Sequence, residues 1–125
     1  MRVHVAIAAA ALLSAAPLRA QTPSASAAEI GAYYPDLHAL YQDLHRNPEL
    51  GFQETQTAAK LAGRLKALGF EVTTGVGRTG IVALLKNGAG PTVMLRTELD
   101  ALPIAEKTGV PFASTLMVKN LAGAT

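Results

Sequence analysis

Apolar residues recur along this chain with two different periods, and the change falls at Gly69. Before it, Leu37, Leu40, Tyr41 and Leu44 stand at i, i+3, i+4 and i+7, the stripe of a helix with one buried side. The spacing predicts a first helix from about Pro35 to Arg46. Proline suits the first turn, where its missing N–H costs nothing. Asn47-Pro48 ends the helix, because proline pushes the residue before it out of the α region. Ala58, Leu61, Ala62, Leu65 and Leu68 outline a second helix from about Gln53 to Leu68, with Gly69 placed for a left-handed cap.

Beyond Gly69 the period shortens. Phe70-Glu71-Val72-Thr73 alternates like a strand with one wet face, and Gly75 to Gly80 is a turn-rich connection. Ile81 to Leu85 and Val93-Met94-Leu95 are continuously apolar. Asn87-Gly88-Ala89-Gly90-Pro91 between them predicts a hairpin. Strands apolar on both sides need cover on both faces. The expected fold class is therefore α/β: part of an α/β/α sandwich, two helices followed by three strands. A raw sheet edge or an uncovered face is expected to go with it.

The start of the chain follows another pattern. Met1-Arg2 is positive, Val5 to Leu13 is apolar, and Pro17-Leu18-Arg19-Ala20-Gln21 offers a small residue at a cleavage point. This is the layout of a signal peptide over residues 1–20, removed on export to the periplasm or beyond. The apolar run is shorter than the roughly 20 residues that a membrane span needs. Residues 21–34 read as a flexible lead-in, and residues 35–125 as the folded portion. Losing Arg2 and Arg19 leaves 9 Lys and Arg against 9 Asp and Glu. A neutral mature chain gives no reason to expect nucleic acid or an anionic membrane as partner. The chain has no cysteine, which excludes disulfides and thiolate metal ligands within it.

The stretch with the most chemistry is Leu95-Arg96-Thr97-Glu98-Leu99-Asp100-Ala101-Leu102-Pro103-Ile104. An apolar strand runs into two acids at i and i+2, which share a face if the strand continues. Adjacent carboxylates repel unless a cation or a proton lies between them, so a divalent metal or a general acid/base site is one reading. An ordinary strand-end pair, with Arg96 as salt-bridge partner, is the other. Spacing does not separate the two.

The same run, followed by Glu106-Lys107-Thr108-Gly109-Val110-Pro111-Phe112-Ala113-Ser114, resembles a signature of the N-acyl-amino-acid amidohydrolases. That group includes hippurate hydrolases and auxin-conjugate hydrolases, within a wider class of dinuclear metallopeptidases. Upstream, Leu44-His45-Arg46-Asn47-Pro48-Glu49-Leu50-Gly51-Phe52-Gln53-Glu54-Thr55 resembles the opening motif of the family, and Thr79-Gly80-Ile81-Val82-Ala83 its second strand. The resemblance covers roughly Leu37 to Ser114, with its motifs in order.

It implies that residues 35–125 are an incomplete N-terminal portion of a catalytic domain. Asp100 is implied as the catalytic acid beside the metal pair. Glu98 stands where relatives outside this subfamily use a metal-binding His and this subfamily more often Asp; the longer Glu departs from both. His45 is expected to cap or pack, His38 to lie on the surface, and Glu49 and Glu54 to secure the loop and the second helix. The metal motif His-Ala-Cys-Gly-His-Asp is absent, and the main ligands are expected beyond Thr125. The implied activity is hydrolysis of the amide in N-acyl amino acids or related conjugates, using two divalent ions, zinc or manganese. No metal is expected to bind this fragment alone, and no catalysis is expected from it. The implied partners are a small acyl-amino-acid substrate and, in the intact enzyme, a second subunit. The alternative is a non-catalytic truncated remnant or a small α/β binding module.

Overall fold

The computed structural model describes residues 26–123. The expected signal peptide lies outside them, as do residues 21–25 of the lead-in. Four elements follow one another: α1 (Ala27–Arg46), α2 (Thr55–Ala67), β1 (Glu71–Val76) and β2 (Gly80–Leu84). Helices come first and strands second, as the change of period at Gly69 requires.

Helix α1 begins eight residues earlier than Pro35, so the lead-in expected over 21–34 is helical from Ala27 onward. The cause is a capping box. The Ser26 hydroxyl accepts from the Glu29 amide at 3.2 Å, and the Glu29 carboxylate accepts from the Ser26 amide at 2.6 Å. Two orphan donors of the first turn are thereby satisfied, and Pro35 is carried inside the helix. Ile30, Tyr33, Tyr34, Leu37 and Tyr41 remain exposed along it. Ion pairs hold α1 to α2, Asp43 with Lys60 and Asp36 with Arg64. Among the described residues no helix is long and apolar enough to cross a membrane.

Helix α2 lies close to its expected bounds and ends in a Schellman motif. Gly69, at φ 88°, donates to the Lys66 carbonyl at 3.0 Å, and Phe70 donates to that of Leu65 at 3.1 Å. Ala58 and Ala62 are buried as the stripe predicted, whereas Leu68, now the cap residue, is 70% exposed. The helix packs on the β-hairpin. Val72 from β1 and Gly80, Ile81 and Ala83 from β2 are the half-buried strand residues.

The strands correct the expectation in two respects. The hairpin joins β1 to β2, antiparallel, around Gly77-Arg78-Thr79, and not Ile81–Leu85 to Val93–Leu95. No third strand forms among the described residues, so the sheet has two strands where three were expected. Val93, Met94 and Leu95 are 89%, 85% and 92% exposed. A strand apolar on both faces gains stability only when both are covered. Among the described residues α2 packs on the β1–β2 hairpin, and Val93–Leu95 stay uncovered. The uncovered face is present, with Val76, Val82 and Leu84 about half exposed.

The hairpin depends on a close approach. The register shifts by one residue between Thr74 and Val76, and a Cβ added at Gly80 would lie 2.5 Å from the Val76 carbonyl oxygen. Neither backbone can yield without moving the other. Gly80→Ala should therefore lower unfolding stability by about 1–3 kcal/mol, measured by urea denaturation. An unchanged midpoint would show that the turn relaxes freely.

Candidate active site

The segment after the helices returns to the loop between them. The Ala101 amide donates to the Glu49 carbonyl at 2.8 Å, and Leu50 and Ala101 form an isolated parallel bridge. Asp100 is thereby set beside Gly51, where an added Cβ would lie 3.8 Å from Asp100 Oδ2. The Asp100 side chain is exposed and faces an open cleft of about 1290 Å³, lined also by Tyr41, His45, Glu49, Leu102 and Glu106.

Glu98 also lines this cleft but is paired elsewhere. Its carboxylate accepts from the Arg96 guanidinium at 3.0 Å, and both side chains are largely exposed. This contact is the one the salt-bridge reading of the acidic pair expects, with Arg96 beside the Glu98 charge. The segment is not a strand, so the shared parity of Glu98 and Asp100 has no sheet to fix it.

The acids upstream secure structure, as expected. Glu49 Oε1 and Oε2 accept from the amides of Gln56 (3.0 Å) and Thr57 (2.6 Å), the second and third residues of α2. Burial works to raise the Glu49 pKa, but the Thr57 and Gln56 amides and the Thr57 hydroxyl together hold it below the ordinary value. Glu54 is buried and accepts from the Thr79 hydroxyl, which ties the hairpin turn to the start of α2; that bond lowers its pKa against burial. Next to this tie, Arg78 lies 5.1 Å over the Phe52 ring, and both residues have positive φ.

His45 has a packing role. Its ring meets Phe112 edge-on at 5.2 Å, and its Nε2 lies 2.7 Å from Glu106 Oε1. His38 is exposed, stacked on Tyr34 at 5.4 Å. The residue that sequence reading missed is Glu106. It accepts from His45, from the Thr108 hydroxyl and from the Ser114 amide (2.6 Å), while the Ser114 hydroxyl reaches the Arg46 carbonyl at 3.0 Å. The Thr108 hydroxyl, the His45 ring and the Ser114 amide bring the Glu106 pKa down to about 2. Only Thr108, two residues away, was a local signal for this role.

Part of the chain resembles known enzymes. The chain is 41% identical over 80 residues to the hippurate hydrolase of Campylobacter jejuni, covering 63% of this chain and 21% of that protein. Over the matched stretch the chain is homologous to amidohydrolases. It is 44% identical over 78 residues to the N-acetyldiaminopimelate deacetylase of Listeria monocytogenes (61% of this chain, 21% of the relative). It is 39% identical over 85 residues to the N-acetylcysteine deacetylase of Bacillus subtilis (66% and 22%). The chain thus spans about a fifth of the length of these curated relatives. No protein-family model matches it, and no solved structure does.

Proposed function

We propose that this amidohydrolase-like chain serves in the hydrolysis of N-acyl amino acids or related conjugates. The observation that carries the reading is its similarity to relatives named as a hippurate hydrolase and as deacetylases of N-acetylated amino acids. Asp100 is the residue proposed to act. It is a carboxylate at the rim of a cleft, held by its neighbours' main chain and, among the described residues, without a hydrogen bond or ion pair of its own. Such a group can accept a hydrogen bond from the reacting water or from the substrate and fix its orientation. In the overall reaction, oxygen from water joins the acyl carbon, the C–N bond breaks, and the amine leaves with a proton.

Two divalent ions, zinc or manganese, belong to the proposal for the intact enzyme. The described residues do not fit such a centre: no group of three or more His, Asp or Glu among them could hold a metal ion. Glu98, the one ligand candidate, is held by Arg96. Nitrogen or sulfur donors in fixed geometry would have to come from other residues, so no step is assigned to a metal here. This shortage favours a second reading for the chain by itself, that it binds or scaffolds without turnover. Export and a paired subunit in the intact enzyme are proposed on the leader pattern and the family resemblance respectively.

The test is release of free glycine from N-benzoylglycine, and of the amino acid from its N-acetyl counterparts. It compares an enzyme of the relatives' length carrying this chain with the 125-residue chain alone. Turnover by the first and none by the second is expected. Absence of turnover in both would reject the reading.

A further inference from the structure

We propose that Glu49 is the positioning residue for Asp100, a role that rests on the hydrolase reading for its purpose but not for its geometry. Helix α2 lacks an ordinary cap: its N-cap residue, Glu54, makes no side-chain cap hydrogen bond. Glu49 supplies one from six residues upstream of α2, its two carboxylate oxygens taking the Gln56 and Thr57 amides. These are charge-assisted bonds at the positive end of a helix, stronger than neutral ones. The main chain of the same residue points the other way, its carbonyl accepting from the Ala101 amide at 2.8 Å.

One residue therefore joins two structures that are otherwise far apart in sequence. Its side chain is fixed to α2, which in turn is packed on the hairpin. Its carbonyl fixes the residue directly after Asp100, and the adjoining Leu50–Ala101 bridge keeps Asp100 next to the loop, beside Gly51. A functional carboxylate on an irregular segment needs such support from a rigid element to keep its geometry. If Glu49 releases α2, the loop from Glu49 to Gly51 gains freedom, and Asp100 moves with it while the rest of α2 stays on the hairpin.

The test is residue-resolved NMR on the 125-residue chain and its Glu49→Ala and Glu49→Gln variants. Amide exchange is read at Ala101, at Thr57 and, as a reference within α2, at Ala62, together with the Asp100 side-chain carboxyl shift. In Glu49→Ala, exchange at Ala101 should rise about tenfold or more, while Ala62 changes by no more than about twofold. The Asp100 carboxyl signal should shift. Glu49→Gln, which keeps one acceptor oxygen for the helix amides, should fall between the wild type and Glu49→Ala, and it carries the test if the alanine variant unfolds. The proposal is overturned if Ala101 exchanges equally fast with and without the Glu49 carboxylate. It is also overturned if Ala101 and Ala62 accelerate by the same factor, as a general loosening would require. No hydrolysis enters these measurements, so a failure of the hydrolase reading would not be mistaken for a failure of this one.

Discussion

Asp100→Ala in an enzyme of the relatives' length should lose about a hundredfold or more in kcat, with its fold unchanged. The size follows from what a positioned acid or base contributes to a transition state, roughly 10²–10⁴-fold. The intact fold follows from the site: the Asp100 side chain is exposed and, among the described residues, has no hydrogen bond or ion pair to lose. Exposed substitutions without such contacts usually change stability by about 0.5 kcal/mol or less. Glu98→Ala is the control on the same segment. It breaks the contact with Arg96 between two largely exposed side chains, a kind of pair that contributes little. Glu98→Ala should therefore leave kcat nearly as it was. If both variants lose activity equally, the acidic pair acts as a unit and the separate assignment is wrong. Circular dichroism of both proteins shows whether the fold has been kept.

The second large effect belongs to Glu106. Its carboxylate gathers three donors and ties the segment around Thr108–Ser114 to the end of α1 through His45. Glu106→Ala leaves those donors without their acceptor and should lower the thermal midpoint by on the order of 5 °C. The pH dependence has a definite sign. The folded pKa, about 2, lies below the ordinary value of 4.5. The stabilisation is therefore complete above about pH 4.5 and is lost as pH falls through about 2. Glu29, Asp36, Asp43, Glu49 and Glu54 are also lowered, so acid weakens the whole chain in the same direction. The comparison that isolates Glu106 is the gap in midpoint between wild type and Glu106→Gln. It should be widest above pH 4.5 and should close toward pH 2. A gap that stays constant with pH would mean that the charge on Glu106 contributes nothing.

The helices were legible where their signals were local. Gly69 marks the end of α2 because only a residue at ease with positive φ fits the Schellman position. The start of α1 was equally local, in Ser26 and Glu29, but the Pro35 start signal pointed to a later turn. Proline can begin a helix, yet an exposed helix with a good cap can also carry one. The missing third strand has a different cause. Val93-Met94-Leu95 has the composition of a buried strand, but composition does not supply the layers that bury it. At the site, only the motif around Asp100 singles it out in sequence, and its role stands as the proposal above, while Glu49 and His45 took the structural roles expected of them. The Glu106 centre was not legible, because its partner His45 is 61 positions away and no periodic pattern links the two.

The most direct measurement follows the oxygen. N-benzoylglycine is incubated in ¹⁸O-labelled water with an enzyme of the relatives' length carrying this chain, and the products are weighed by mass spectrometry. Amide hydrolysis predicts benzoate carrying one ¹⁸O and glycine carrying none, with the yield of both falling about a hundredfold or more in Asp100→Ala. Intact substrate after prolonged incubation with zinc or manganese supplied would contradict the account, as would benzoate released without label.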